Sequence, residues 1–197
     1  MSTLNLCVIG DELAAGAEDP RGLGWVGRVI ARTEMPFGAR VFSLCRERET
    51  TMELAQRWEA EVSARLREGV DNRVLIAIGS ADVDSDLSTA RTRLNIANMV
   101  DIANRMELRP LVVGPPPLRC SDMRQLFEIS KAAAEVCRRR DVPFIDTFTP
   151  LMRHDQWLDD VAVNDGRLPG QAGYGLMAWI VLHRGWYEWT GLSARQR

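Results

Sequence analysis

Asp11, Glu12, Asp82 and Asp165 are the carboxylates that stand just after apolar runs or just before an apolar helical pattern, and Arg48 and Arg167 are the cations at comparable places. Carboxylates gathered around strand ends are hard oxygen donors of the kind that hold Mg or Ca. Two arginines in the same neighbourhood oppose a cation and favour a small anionic ligand such as a carboxylate or phosphate. No metal and no cofactor are therefore expected. Nucleophilic chemistry has less to work with. Ser43 and Ser80 have no histidine near them in sequence, and a serine attacks only when a base takes its proton. The two histidines are His154, in a polar stretch at 152–164 taken as a loop, and His183, on the stripe of an apolar helix with Leu176 and Trp179. Cys7, Cys45, Cys120 and Cys137 lack C-x-x-C spacing and read as free thiols, the first two as small apolar fillers within strands. Two histidines and scattered cysteines leave little material for a zinc site.

These residues need elements to position them. Apolar runs rich in Val, Ile and Leu fall at 4–9, 40–44, 74–78, 111–113 and 143–145. They are short and mostly do not alternate, as strands buried on both faces of a parallel sheet read. Helical stripes separate them. Leu54, Trp58 and Val62 repeat every four residues; Met123, Leu126, Phe127, Ser130, Ala133, Ala134 and Cys137 follow the i, i+3, i+4, i+7 pattern. A third helix is expected over about 87–106 with Ile96, Met99, Val100 and Ala103 inward, and a last one from near Pro169 to about Trp189. Strand–helix alternation over five strands predicts an α/β domain with helices on both faces, whose ligands sit beyond the carboxyl ends of the strands.

The 197 residues carry a net charge of −2, with 46% hydrophobic and 26% charged residues, as in an ordinary globular chain. One domain over 1–197 is expected, its core at about 4–182 and a Trp-rich helix end at 183–197. The near-neutral balance, with Arg138–Arg140 read as a solvated helix end, argues against a nucleic-acid partner. No apolar stretch approaches the roughly 18 residues of a membrane span. The start leads straight into the first apolar run with no basic leader, so a cytoplasmic location is expected. Trp186 and Trp189, if exposed, would mark an interface for a protein partner or a homo-oligomer.

The five loops after the strands carry a resemblance. Leu6-Cys7-Val8-Ile9-Gly10-Asp11-Glu12-Leu13-Ala14-Ala15-Gly16, the Gly24-Trp25 pair, Phe42-Ser43-Leu44 with Arg48-Glu49-Thr50-Thr51, Ile78-Gly79-Ser80-Ala81-Asp82, Val112-Val113-Gly114-Pro115-Pro116-Pro117, Phe144-Ile145-Asp146, and Asp165-Gly166-Arg167-Leu168-Pro169 with Gly173-Tyr174 and Met177-Ala178 resemble, in order, the blocks of the SGNH hydrolases, the GDSL esterases and lipases. The resemblance implies a three-layer α/β/α sandwich around a five-stranded parallel sheet of the flavodoxin-like kind. It also implies which positions should be catalytic. Glu12 stands where the family has its nucleophilic serine, Arg48 where it has an oxyanion-hole glycine, Ala81 where it has the oxyanion asparagine, and Leu168 where it has the base histidine. Asp165 matches the aspartate that orients that histidine.

Each replacement removes a function. Leu168 cannot accept a proton, and attack by the Glu12 carboxylate would give an anhydride rather than an ester. An alanine at 81 takes an amide donor from the oxyanion hole, where one such donor is worth roughly a hundred- to a thousandfold in rate. The expectation is a family member without ester hydrolase activity. It would bind a small anionic or acyl ligand, or a protein, through Asp11, Glu12, Arg48, Ser80, Asp82, Asp165 and Arg167. Opposite charges at 12 and 48 predict an ion pair across the old site. Structural alternatives stand beside these roles: Glu12 at a helix N-terminus, Asp165 as a helix cap, Asp82 for loop geometry. The rival function is an active acylhydrolase with a rearranged site that uses His154 as its base.

Overall fold

The computed structural model describes residues 3–119 and 121–196. Five strands, β1 (Leu4–Gly10), β2 (Arg40–Cys45), β3 (Asp71–Ala77), β4 (Pro110–Val113) and β5 (Phe144–Ile145), form one parallel sheet in the order β2-β1-β3-β4-β5. The apolar runs explain the order. All of β1 is buried, and β3 is buried from Arg73 onward, because both are central strands covered on two faces. The edge strand β2 leaves Arg40, Val41 and Ser43 exposed and buries only Leu44.

Helices cover both faces. On one side lie α2 (Gly24–Arg32), α8 (Asp155–Ala162) and α9 (Gln171–Val181); on the other α3 (Thr51–Ser63), α5 (Thr89–Arg105) and α6 (Met123–Arg139). Short helices α1 (Glu12–Ala15), α4 (Ala81–Asp84) and α7 (Phe148–Leu151) follow β1, β3 and β5. The three-layer α/β/α sandwich expected from the sequence is thus present. The stripe Leu54, Trp58, Val62 faces the core from α3, and Ile96, Met99, Val100 and Ala103 do so from α5. On α6 the inward stripe is rotated towards Ile129 and Val136, which leaves Phe127 exposed and Ala134 at the rim.

Three expectations change. The polar stretch 152–164 is not a loop: it holds α8, whose Trp157 and Val161 are buried and whose Trp157 indole N–H donates to the Pro117 carbonyl at 2.9 Å. The last helix does not run unbroken to Trp189. It passes into a wider π-turn segment (Leu182–Trp186) in which Gly185 sits at φ 147°, then into α10 (Tyr187–Thr190). Trp186 is not an exposed marker. It is buried, its indole N–H donates to the Thr33 hydroxyl at 2.8 Å, and Trp189 is half-buried over Arg73; the exposed tryptophan is Trp179. Beyond α10 the chain returns to the end of α2, where the Arg195 N–H donates to the Arg32 carbonyl at 2.8 Å.

Cys7 and Cys137 are buried free thiols and Cys45 is half-buried and free; Cys120 lies outside the described residues. Burial pushes Cys7 and Cys45 up to about 11 and Cys137 to about 12, far from thiolate reactivity. Among the described residues no helix is long and apolar enough to cross a membrane.

Candidate functional site

The carboxyl ends of β1, β2 and β3 bring together the first three motif loops. In a parallel sheet of order 2-1-3-4-5 the winding of the strands switches between β1 and β3, and open α/β sheets as a class bind ligands at such a crevice. Asp11 leaves β1 and caps α1: its Oδ1 accepts the Leu13 N–H at 3.1 Å. The rest of its carboxylate presses on Gly79, where an added Cβ would lie 1.4 Å from Oδ2. Glycine at 79 is therefore a consequence of close approach between two strand-end loops. Asp11 is only 3% exposed, and burial together with the neighbouring Glu12 charge pushes its carboxyl up to about 7.

Glu12 begins α1 and turns its carboxylate to the next loop, where Oε2 accepts the backbone N–H of Arg48 at 2.6 Å. The expected ion pair is not made: no Glu12 oxygen lies within 4.0 Å of the Arg48 guanidinium, whose side chain is exposed. Arg48 sits at φ 53°, a left-handed conformation that costs a non-glycine residue free energy. That backbone turn is what aims the N–H at Glu12. The loop is anchored on both sides. Glu49 is clasped by the Arg57 guanidinium through two 2.5 Å contacts, and Thr50 and Glu53 form a reciprocal capping box at the start of α3.

Asp82 holds the same loop from beneath. Its buried carboxylate accepts the Thr51 N–H at 2.6 Å, the Thr51 hydroxyl at 2.6 Å and the Thr92 hydroxyl at 2.5 Å, while the Asn95 amide donates to Thr51 Oγ1 at 3.0 Å. With its lone pairs so occupied, Asp82 is an internal strut joining α3, α4 and α5. Ala81 and Ser80 beside it are also buried, and the Ser80 hydroxyl donates to Asp84 at 3.3 Å. Asp82→Ala is expected to cost about 2–3 kcal/mol in urea unfolding, because three buried donors lose their acceptor. An unchanged unfolding midpoint would refute the strut.

The last motif block lies at the turn between α8 and α9. Asp165 is exposed, at φ 54°, and caps no helix. The carboxylate at the start of α9 is that of Asp160, which accepts the Gly173 N–H at 2.8 Å. Leu168 is half-buried against the core and its carbonyl accepts the Asn164 side-chain amide. His154 is exposed at the amino end of α8, about 12 Å of helix from the turn that carries Asp165. His183 is exposed and stacks on Trp179 with centroids 4.4 Å apart. Neither histidine lies among the loops after β1, β2 and β3.

A cavity of about 430 Å³ opens beside the Arg48 loop, lined by Arg48, Arg167, Asp84, Asp86, Asp122 and Gln125 with Val83 and Ser121. Arg48 and Arg167 were singled out in the sequence; Asp84, Asp86 and Asp122 were not. The alternation of Asp82, Asp84 and Asp86 directly after β3 is the signal that could have found two of them. A larger groove, about 730 Å³ between α5 and α6, lies away from the strand ends, and its charges are partly paired already: Arg93 with Glu135 and Lys131 with Glu128, each at 3.2 Å.

Comparison with known proteins agrees with this geometry. The profile of the GDSL-like Lipase/Acylhydrolase family matches residues 8–176. Among solved structures, the lipase/acylhydrolase from Enterococcus faecalis is similar with a TM-score of 0.78 at 22% identity, covering 99% of this chain and 100% of that one. A catalytic mutant of an acetylxylan esterase from Geobacillus stearothermophilus gives 0.79 at 20% identity, covering 100% and 99%. A member of the lipolytic protein G-D-S-L family from Veillonella parvula gives 0.77 at 16% identity, covering 92% and 97%. No curated protein matches the chain significantly by sequence. At these identities the structural likeness speaks to the fold.

Proposed function

Since this chain belongs to the GDSL-like lipase/acylhydrolase family, we propose that it is a member that has exchanged ester hydrolysis for ligand binding. The observation that carries the reading is the 2.6 Å hydrogen bond from the Arg48 N–H to the Glu12 carboxylate. On the family resemblance, the backbone donor at position 48 serves the oxyanion and the side chain at position 12 attacks. Here the second side chain occupies the first donor with a full negative charge. A developing oxyanion would have to displace a carboxylate already in place, and the position that the resemblance gives to the activating histidine holds Leu168. The charged lining next to the loop suits binding of a small polar molecule, with the sheet and its struts holding the loops rigid.

The test is turnover of nitrophenyl acetate and butyrate by the purified chain at pH 7–8. The expected rate equals that of buffer. A rate above buffer that falls on Glu12→Ala or on His154→Ala would overturn the proposal and assign that side chain to catalysis.

A further inference from the structure

The cavity beside Arg48 holds charges of both signs that do not meet. Arg48 comes from the loop before α3, Arg167 from the loop before α9, Asp84 and Asp86 from the end of α4 and just past it, and Asp122 from the N-cap of α6. No guanidinium nitrogen of the two arginines lies within 4.0 Å of any of the three carboxylates, and among the described residues neither arginine side chain has a hydrogen-bond or ion-pair partner. Elsewhere on this surface arginines do pair: Arg140 reaches Asp101 at 2.7 Å, and Arg93 reaches Glu135 at 3.2 Å. Around this cavity of about 430 Å³ charges of both signs stand unpaired with one another.

The carboxylates are also held in place. Asp84 accepts the Ser121 hydroxyl at 2.6 Å and the Ser80 hydroxyl at 3.3 Å, and Asp122 Oδ1 accepts the Arg124 and Gln125 N–H groups at 2.8 and 3.2 Å. These contacts use part of each carboxylate and leave acceptor capacity towards the cavity. Asp86 and Arg48 both sit in the left-handed region, at φ 54° and 53°, and the Asp86 turn is closed by its N–H on the Val83 carbonyl at 3.1 Å.

We propose that this cavity binds a small zwitterion of amino-acid or dipeptide size, its carboxylate towards Arg48 and Arg167 and its ammonium towards Asp84, Asp86 and Asp122. An anion alone would meet three carboxylates, and a cation alone two guanidinium groups. A molecule carrying both charges a few ångströms apart satisfies both sets, and guanidinium offers the carboxylate a planar pair of donors. The inference rests on the reading of the chain as a binder, whose ligand class it names.

Calorimetric titration with glycylglycine, N-acetyl-glycylglycine and glycylglycine amide tests it, because the second probe lacks the ammonium and the third the carboxylate. Glycylglycine is expected to bind at least fivefold more tightly than either blocked form. Arg167→Gln should remove its advantage over the amide, and Asp86→Asn its advantage over the acetyl form; both residues are exposed, so the variants should fold. Equal binding of the three probes, or binding of none at 10 mM (roughly −2.7 kcal/mol), would overturn the ligand class. Ester turnover by the same preparation would instead defeat the binder reading itself.

Discussion

Replacing Glu12 by serine is expected to leave the hydrolysis of nitrophenyl acetate at the buffer rate. The substitution restores the nucleophile that the resemblance implies and frees the Arg48 N–H from its carboxylate, yet a hydroxyl attacks only after its proton is taken. Leu168 has no atom that accepts one. His154 stands at the opposite end of α8 from the Asp165 turn, and His183 is stacked on Trp179 at the surface. The free thiols are held protonated, with half-buried Cys45 pushed up to about 11 by burial. In triads where it has been measured, loss of the nucleophile or base alone costs on the order of a millionfold, about as much as loss of the whole set. One member returned to an incomplete set should therefore recover almost nothing. A rise of a hundredfold over buffer would show that some base reaches residue 12 and would return the chain to the hydrolases.

Asp11→Asn is expected to flatten the pH dependence of stability between about pH 4 and pH 7. The folded carboxyl is raised from 3.8 to about 7, by burial first and by Glu12 second. Across that window the folded chain keeps a proton that the unfolded chain has released. Stability therefore falls as pH rises through the window and changes no further above it. At 1.36 kcal/mol for each tenfold in proton affinity, the full loss is about 4 kcal/mol. Asparagine carries no charge at either end of the range and can still accept the Leu13 N–H as the cap of α1. The groups facing Asp11 are Glu12, Cys45 and Tyr174. The latter two stay neutral here, because burial raises both and the Tyr174 hydroxyl is held by the Ala17 carbonyl at 2.6 Å. Urea unfolding at pH 4.5 and pH 8 measures the effect. Wild-type and variant profiles that run parallel would contradict it.

The sheet was legible because β1, β3 and β4 each carry a short run dominated by Val, Ile and Leu, even though β1 and β3 also bury Asn5 and Arg73. What stayed hidden has physical reasons. α8 carries Asp155, Asp159 and Asp160 around one apolar stripe of Trp157, Leu158 and Val161, and a short, mostly polar helix looks like a loop. The break at Gly185 follows the polar pair His183-Arg184, but helical stripes of apolar residues continue on either side of it and mask it. At the site, residue types suggested that Glu12 would meet the Arg48 side chain. The partner is the Arg48 main-chain N–H, which every residue type except proline offers. Asp82 read as loop or ligand because its partners, Thr51 and Thr92, are 31 and 10 residues away. Nothing local announces a strut assembled from three helices.

The contact between Asp11 and Gly79 also bears on how such a chain can change over time. A side chain of any size at 79 meets the carboxylate at 11, which would have to shift from a buried place where its Oδ1 accepts the Leu13 N–H. A change at 79 is therefore felt at 11, whether or not any reaction is catalysed beside them. The end of β1 and the end of β3 are thereby keyed to one another, and the constraint holds whatever ligand or reaction the surrounding loops serve.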